Sequence, residues 1–443
     1  MALPLTAGAN TQWLERSRES VWHPCTQMKV HESLPLVPIA RGDGVWLYDF
    51  EGRRYLDAVS SWWVNLFGHA NPRINAALAA QLGELGHVIL AGFTHAPVVE
   101  LSERLAALAP PGLGHAFYGS DGASATEIAL KMSFHYWRNV GQPGKQRFIC
   151  VAGGYHGETL GALGVTDVPL FRQTYAPLLR EALVAASPDA RMALPDESAR
   201  DVAERAARSL ESMLAEHHAT TAALIVEPLV QGATGMAMHD PHYLSRAREL
   251  CTQYGVHLIA DEIMTGFGRT GTLFACEQAS IEPDFLLLSK GITGGYLPLA
   301  CVLTTDAVYR SFYADDVTRG FLHSHSYTGN ALACRAALTV LDIFADDDVI
   351  SHNRAKAARF NACAAPLAAH PKVTGFRHRG MIWAFEVATA RPDFARWCFA
   401  HALRRGILLR PIGRTVYFMP PYVIDDAQFA QLVEATLAIV EAA

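Results

Sequence analysis

The chain has 443 residues, 50% of them hydrophobic and 18% charged, with a formal net charge of -6. That balance suits a globular protein of two or three packed regions and excludes a disordered or fibrous one. It also offers no broad cationic field for nucleic acid or anionic membranes, which leaves small-molecule chemistry as the expected role.

The run from Met1 to Asn10 lacks a basic segment followed by an apolar core, and no later stretch reaches the roughly 18 unbroken apolar residues of a membrane span. A cytoplasmic location is the expectation. The cysteines, at 25, 150, 251, 276, 301, 334, 363 and 398, are scattered with no Cys-x-x-Cys pair, as suits a reducing compartment. Short strands are expected at Gly44 to Asp49 and Arg54 to Asp57, around a turn at Glu51-Gly52. From about Asn75 to Thr328, helical stretches such as Glu100 to Leu108 and Thr126 to Tyr136 alternate with apolar strands. Those strands are read at Arg147 to Val151, Ala223 to Glu227, His257 to Ile263 and Phe285 to Ser289. The alternation predicts an α/β region with a mostly parallel sheet, whose ligand crevice lies at the carboxyl ends of the strands. A helix from Ala331 to Phe344 then leads to strands at Gly380 to Val387 and Val416 to Met419 and a closing helix near Asp426 to Glu441. The expected division is 1–74 for an N-terminal arm and small sheet, 75–328 for the large α/β domain, and 329–443 for an α+β domain.

Two polar strand ends carry the chemical argument. His257-Leu258-Ile259-Ala260-Asp261 ends in a carboxylate, and Phe285-Leu286-Leu287-Leu288-Ser289 delivers Lys290 ahead of Gly291 and Gly294-Gly295. A pyridoxal enzyme needs this pair: a carboxylate to keep the pyridine nitrogen protonated and a lysine to bond the cofactor's aldehyde. Either residue alone reads as a solvated strand end, and its weight comes from the neighbours. Gly119-Ser120-Asp121-Gly122-Ala123-Ser124 precedes a helix expected near Ala125, where backbone N–H groups and the positive helix end can hold a phosphate. In Gly153-Gly154-Tyr155-His156-Gly157, Tyr155 can stack on a flat heteroaromatic ring. Gly266-Phe267-Gly268-Arg269-Thr270-Gly271 matches a dinucleotide fingerprint in spacing but lacks a following helix, and is read as a decoy. His323-Ser324-His325 has no further ligands at zinc spacing and is read as a loop pair.

The segments Leu258 to Gly271 and Pro283 to Gly295 together resemble the signature of the class III (omega) aminotransferases. The resemblance covers nearly the whole chain. It implies the fold type I architecture of pyridoxal-phosphate transferases: a large α/β domain with a mostly parallel sheet, plus a small α+β domain from the N- and C-terminal parts. It also implies pyridoxal 5'-phosphate as cofactor and a homodimer with active sites at the subunit interface. Trp22-His23-Pro24, Ser60-Ser61-Trp62-Trp63 and Leu409-Arg410-Pro411-Ile412-Gly413, continuing to Tyr417-Phe418-Met419-Pro420-Pro421-Tyr422, resemble one branch of the family. That branch aminates 8-amino-7-oxononanoate in biotin biosynthesis, with S-adenosylmethionine as the expected donor and another amine, such as lysine, as the alternative.

By this resemblance Lys290 carries the cofactor, Asp261 pairs with its ring nitrogen, Tyr155 stacks on the ring, and Gly122 and Ala123 donate to its phosphate. Glu227 sits near the ring oxygen, Ile263 belongs to the cofactor site, and Ser326 or Thr328 supplies a hydroxyl from the partner subunit. Trp62, Trp63, Tyr155, Gly329, Arg410 and Tyr417 are the implied substrate residues, Arg410 holding a distant carboxylate through its guanidinium fork. The chain departs from the family pattern at Cys25, where Tyr is usual, and at His325-Ser326-Tyr327, where Pro-Thr-Phe is usual. Cys25 is expected to be a buried, inert thiol. Rival readings are an aminotransferase for ω-amino acids or diamines, an aminomutase of the same fold, and a non-catalytic relative.

Overall fold

A computed structural model describes residues 8–34 and 36–443; residues 1–7, on which the expectation about a leader mostly rests, lie outside them. The chain divides into two compact units.

The larger unit comprises Arg73–Ala355 and Arg377–Ile382. Its seven strands are β1 (His115–Gly119), β2 (Arg147–Val151), β3 (Leu183–Ala185), β4 (Thr221–Val226), β5 (His257–Asp261), β6 (Phe285–Leu288) and β7 (Ala300–Thr304). They form one sheet in the order β1-β7-β6-β5-β4-β2-β3. The pairs β6/β5, β5/β4, β4/β2 and β2/β3 are parallel, and β7 alone runs against its two neighbours. Strands β4, β5, β6 and β7 are buried along their whole length, which explains why they read as unbroken apolar runs rather than alternating ones. Register fixes the working edge. Ala260 lies beside both Val226 and Leu286, so the carboxyl ends of β4, β5 and β6 come out side by side. These strands stop earlier than their apolar patterns suggest, leaving Glu227, Glu262, Ile263 and Ser289 just beyond the ladder.

After the helix α1 (Ala96–Leu108), the core of this unit lies where α2 (Gly122–Asn139) crosses the sheet, with Ile128 and Ala129 packed among Ile225, Ile259, Phe285, Leu287 and Val302. Helix α2 starts three residues before the expected position because the Asp121 side chain caps it, accepting from Ser124 N at 2.9 Å.

The smaller unit draws on Met1–Pro72, Lys356–Phe376 and Trp383–Ala443. Ile39–Asp43, Trp46–Asp49 and Arg54–Asp57 form an antiparallel meander, and Ile407–Leu408 runs parallel to the last of these. The turn at Glu51-Gly52 closes through Asp49 Oδ1, which accepts from Glu51 N and Arg53 N, with Gly52 at φ 84°. Trp383 to Glu386 pair antiparallel with Thr415–Phe418. Phe360 stacks on Phe429 at 3.9 Å between ring centroids, beside Trp383 and Phe418. Cys25, expected to be buried, is exposed at φ 51°, because it stands in a turn between the helix Ala9–Ser20 and the short 3-10 helix Met28–Glu32.

Candidate active site

In the larger unit four segments converge at the carboxyl edge of the sheet. The first is the start of α2. With Ser124 N taken by Asp121 and Ala125 N bonded to the Asp121 carbonyl, the N–H groups of Gly122 and Ala123 are left without partners among the described residues. The second is the loop after β2, which crosses α2 so closely that a Cβ on Gly157 would lie 2.5 Å from Ala123 Cβ; Gly157 has φ 126°. Thr126 Oγ1 holds this loop by donating to the His156 carbonyl at 2.8 Å. The third is the end of β5, where a Cβ on Gly122 would meet Ile263 Cγ2 at 2.9 Å and Ile263 N donates to Asp261 Oδ1 at 3.1 Å. The fourth is Lys290, which leaves β6 at φ 43°, a strained backbone geometry typical of functional positions.

The charges here are tightly coupled. Asp261, 3% exposed, bonds through Oδ2 to His156 Nδ1 at 2.6 Å. The other ring nitrogen of His156 is buried with no hydrogen-bond partner among the described residues. Glu227 accepts from Tyr155 N and Gly232 N, both at 2.9 Å. Burial pushes its carboxyl up to about 7, and the Asp261 charge adds to this, while His156 and the two N–H donors oppose it. Lys290 is half-buried beside these carboxylates. Loss of hydration lowers its pKa, and Asp261 and Glu227 pull it partly back. The crevice therefore combines an amine made easier to neutralise, a buried carboxylate held by a histidine, and open N–H groups at a helix N-terminus. A phosphate, a protonated heteroaromatic nitrogen and an aldehyde each find a counterpart there.

Tyr155 is half-buried, with its hydroxyl donating to Glu158 Oε1 at 2.9 Å and its ring 5.4 Å from Phe171. Gly329 has φ 63°, a Cβ there would lie 2.5 Å from Leu90 Cδ1, and its carbonyl meets His95 Nε2 at 2.9 Å. Ser326 is exposed, and its carbonyl bonds to His87. Thr328 Oγ1 is occupied within its own turn, accepting from His325 N at 3.2 Å and donating to His325 O at 2.9 Å. His323 and His325 bond to Lys131 and Ser120 respectively. The segment Gly266 to Gly271 is a run of turns followed by only the 3-10 helix Ala275–Ala279. Glu262, wholly buried, ties that helix down by accepting from Ala275 N at 2.6 Å and Cys276 N at 2.7 Å.

In the smaller unit the remaining sequence candidates fall into two pairs. Trp63 and Tyr417 are both buried, and Trp63 Nε1 donates to the Tyr417 hydroxyl at 3.1 Å. Trp62 is 42% exposed, and the Arg410 guanidinium lies 4.2 Å from its ring centroid. Four successive non-glycine residues here, Ser60, Ser61, Trp62 and Trp63, have φ of 50, 46, 71 and 75°. Left-handed backbone costs roughly 1–2 kcal/mol per residue and persists only where the surroundings over-determine it.

Sequence reasoning passed over His156 and Glu262. Each adjoins a residue it did select, Tyr155 and Asp261, and an imidazole enclosed by glycines in a strand-end loop was the available signal.

A model of the class-III aminotransferase family matches residues 27–440. The chain is 44% identical to the adenosylmethionine-8-amino-7-oxononanoate aminotransferase of Helicobacter pylori, over 96% of each sequence. The crystal structure of the enzyme of that name from Methanocaldococcus jannaschii superposes with a TM-score of 0.91 at 34% identity, covering 98% of this chain and 99% of that one. An omega transaminase from Pseudomonas jessenii in complex with PMP gives 0.92 at 28% identity, covering 97% of each chain.

Proposed function

The chain belongs to the class-III aminotransferases, and from that premise we propose that it transfers the amino group of S-adenosylmethionine to 8-amino-7-oxononanoate, giving 7,8-diaminononanoate in biotin biosynthesis. Pyridoxal 5'-phosphate is the cofactor; when bound it supplies an electron sink through which an amino group and a proton leave one carbon and are later returned to another.

The observation that carries this reading is the meeting of Lys290, Asp261, Glu227 and the open Gly122 and Ala123 N–H groups in one crevice. Gly122 and Ala123 donate to the phosphate, with the start of α2 adding its positive end. Tyr155 covers the ring and Ile263 completes its site. Asp261, held by His156, would face the ring nitrogen and favour its protonated form. Glu227, its carboxyl raised toward neutrality, meets the ring oxygen. Lys290 would hold the cofactor's aldehyde, and its Nζ would take and return the proton of the substrate carbon. Burial makes that nitrogen easier to leave neutral, as a base must be. Trp62, Trp63, Gly329 and Tyr417 contribute to the substrate site, and Arg410 takes the keto acid's distant carboxylate bidentately.

The working form is a homodimer in which the partner subunit supplies a phosphate contact. Ser326 suits that task better than Thr328, because the Thr328 hydroxyl is occupied by its own turn while the exposed Ser326 hydroxyl has no partner among the described residues. Ile89, Phe93, Leu322 and Tyr327 are exposed apolar side chains that a second copy would cover. We assign the enzyme to the cytoplasm, where its free cysteines stay reduced. No helix among the described residues is long and apolar enough to cross a membrane.

The test is spectroscopic. S-adenosylmethionine added alone to the cofactor-loaded protein removes the near-visible absorbance, and 8-amino-7-oxononanoate restores it. If the first addition does nothing while 7,8-diaminononanoate bleaches the band, the donor is another amine. If neither acts, the biotin-pathway substrates are wrong.

A further inference from the structure

The first half of the left-handed turn at Ser60 to Trp63 is held by contacts that share one residue, Asp57. Asp57 is the last residue of the strand Arg54–Asp57 and is fully buried. Its Oδ1 accepts from Ser61 N at 2.9 Å and Val59 N at 3.4 Å. Its Oδ2 accepts from Ser61 Oγ at 2.6 Å and faces His69 Nε2 at 3.1 Å. The histidine is itself fixed, because His69 N donates to Gly44 O at 2.7 Å and Gly44 N donates to His69 O at 3.0 Å. Its ring packs over Gly42, where a Cβ would lie 2.5 Å from His69 Cβ. Beyond the carboxylate, Ser60 Oγ donates to the Met419 carbonyl at 2.7 Å, and Trp63 is anchored on Tyr417.

The turn sends its two tryptophans to different surroundings. Trp63 enters the core at 6% exposure, whereas Trp62 stays 42% exposed as the platform beneath Arg410. A right-handed turn would be the relaxed alternative for these L-residues and would not give Trp62 this orientation. The bonds from Asp57 to the Ser61 N–H and hydroxyl hold the first half of the turn directly.

We propose that Asp57, buttressed by His69, is a positioning residue for substrate selection: it holds the left-handed turn that sets Trp62 beneath Arg410 and so fixes the guanidinium that recognises the keto acid's carboxylate. This rests on the reading of Arg410 as the carboxylate's partner. Asp57 touches neither substrate nor cofactor in this scheme.

The experiment compares 8-amino-7-oxononanoate with its methyl ester as amino acceptor, using the cofactor-loaded full chain. Asp57→Asn keeps an acceptor for Ser61 N but cannot accept from the Ser61 hydroxyl as well. Its expected effect is a roughly tenfold rise in KM for the acid, with KM for the ester and kcat changed less than about twofold. Ser61→Ala removes only the hydroxyl bond and should shift the acid's KM in the same sense by about threefold; it decides the matter if Asp57→Asn does not fold. Equal rises for acid and ester in the variants that fold would mean a merely structural role and overturn the proposal. Arg410→Gln separates the two layers. If Arg410→Gln abolishes the preference for the acid while Asp57→Asn and Ser61→Ala keep it, the positioning role alone is wrong. If Arg410→Gln also keeps the preference, the assignment of Arg410 fails and this proposal with it.

Discussion

The bond between His156 and Asp261 offers the sharpest check on the chemistry of the crevice. Both side chains are almost wholly buried, the contact is 2.6 Å, and Asp261 also accepts from the Ile263 N–H at 3.1 Å. A hydrogen bond to a charged group in such surroundings contributes about 1.5–3 kcal/mol. If that energy serves to keep Asp261 charged and aimed during proton transfer, His156→Leu slows each half-reaction by about 10- to 150-fold. His156→Asn places an amide N–H close to where Nδ1 stood and should recover most of the rate, to within about fivefold of the native enzyme. The assay is stopped-flow absorbance of single half-reactions at saturating donor, with thermal unfolding run alongside. Equal rates for the Leu and Asn variants, or a loss below about threefold in a folded Leu variant, would refute the reasoning.

Three further outcomes follow from the same geometry. Lys290→Ala should abolish turnover while still binding the cofactor noncovalently, seen as a retained but shifted near-visible spectrum; near-native turnover would remove Lys290 from its role. Gly157→Ala forces a Cβ against Ala123 at a φ that only glycine adopts freely, so cofactor affinity measured by fluorescence titration should fall at least about tenfold, an energy of roughly 1.4 kcal/mol. Glu262→Gln leaves one of the Ala275 and Cys276 N–H groups facing an amide donor and should cost about 1–3 kcal/mol in denaturant unfolding. Burial raises the Glu262 carboxyl from 4.5 to about 7, so the folded chain holds a proton that the unfolded chain has lost in that range. Its contribution is fully present below pH 4.5 and is lost as pH rises through about 7. Glu227 is raised in the same direction while buried His257 is lowered to about 4 and opposes it, so the effect of Glu262 is read as the native-minus-Gln difference in stability, which should fall over that window.

Much of the site was legible because its residues lie next to apolar strands. An unbroken run such as Phe285 to Leu288, short and bounded by polar residues, reads as a strand buried on both faces, and the polar residues just after such runs then open at one edge of a parallel sheet. That argument reaches Asp261 and Lys290 from local pattern, Glu227 takes its role from the family resemblance, and a glycine and serine cluster before a helix marks the open N–H groups of Gly122 and Ala123. It is weaker at boundaries, since apolar side chains continue past the last ladder bond, as Ile263 does when it turns to pack on Gly122.

What the linear order could not contain is the pairing of residues far apart in it. His156 and Asp261 are 105 positions apart, and Trp63 and Tyr417 are 354 apart. No periodicity links either pair, and each bond exists because strands or turns from distant segments are brought to adjacent positions. The separate fates of Trp62 and Trp63 are decided in the same way. The sequence by itself determined only that two indoles stand side by side as candidate substrate residues; the left-handed turn that buries one and exposes the other depends on Asp57, His69, Tyr417 and Met419 acting together. Local propensity opposes that conformation, and tertiary contacts alone supply the energy to hold it.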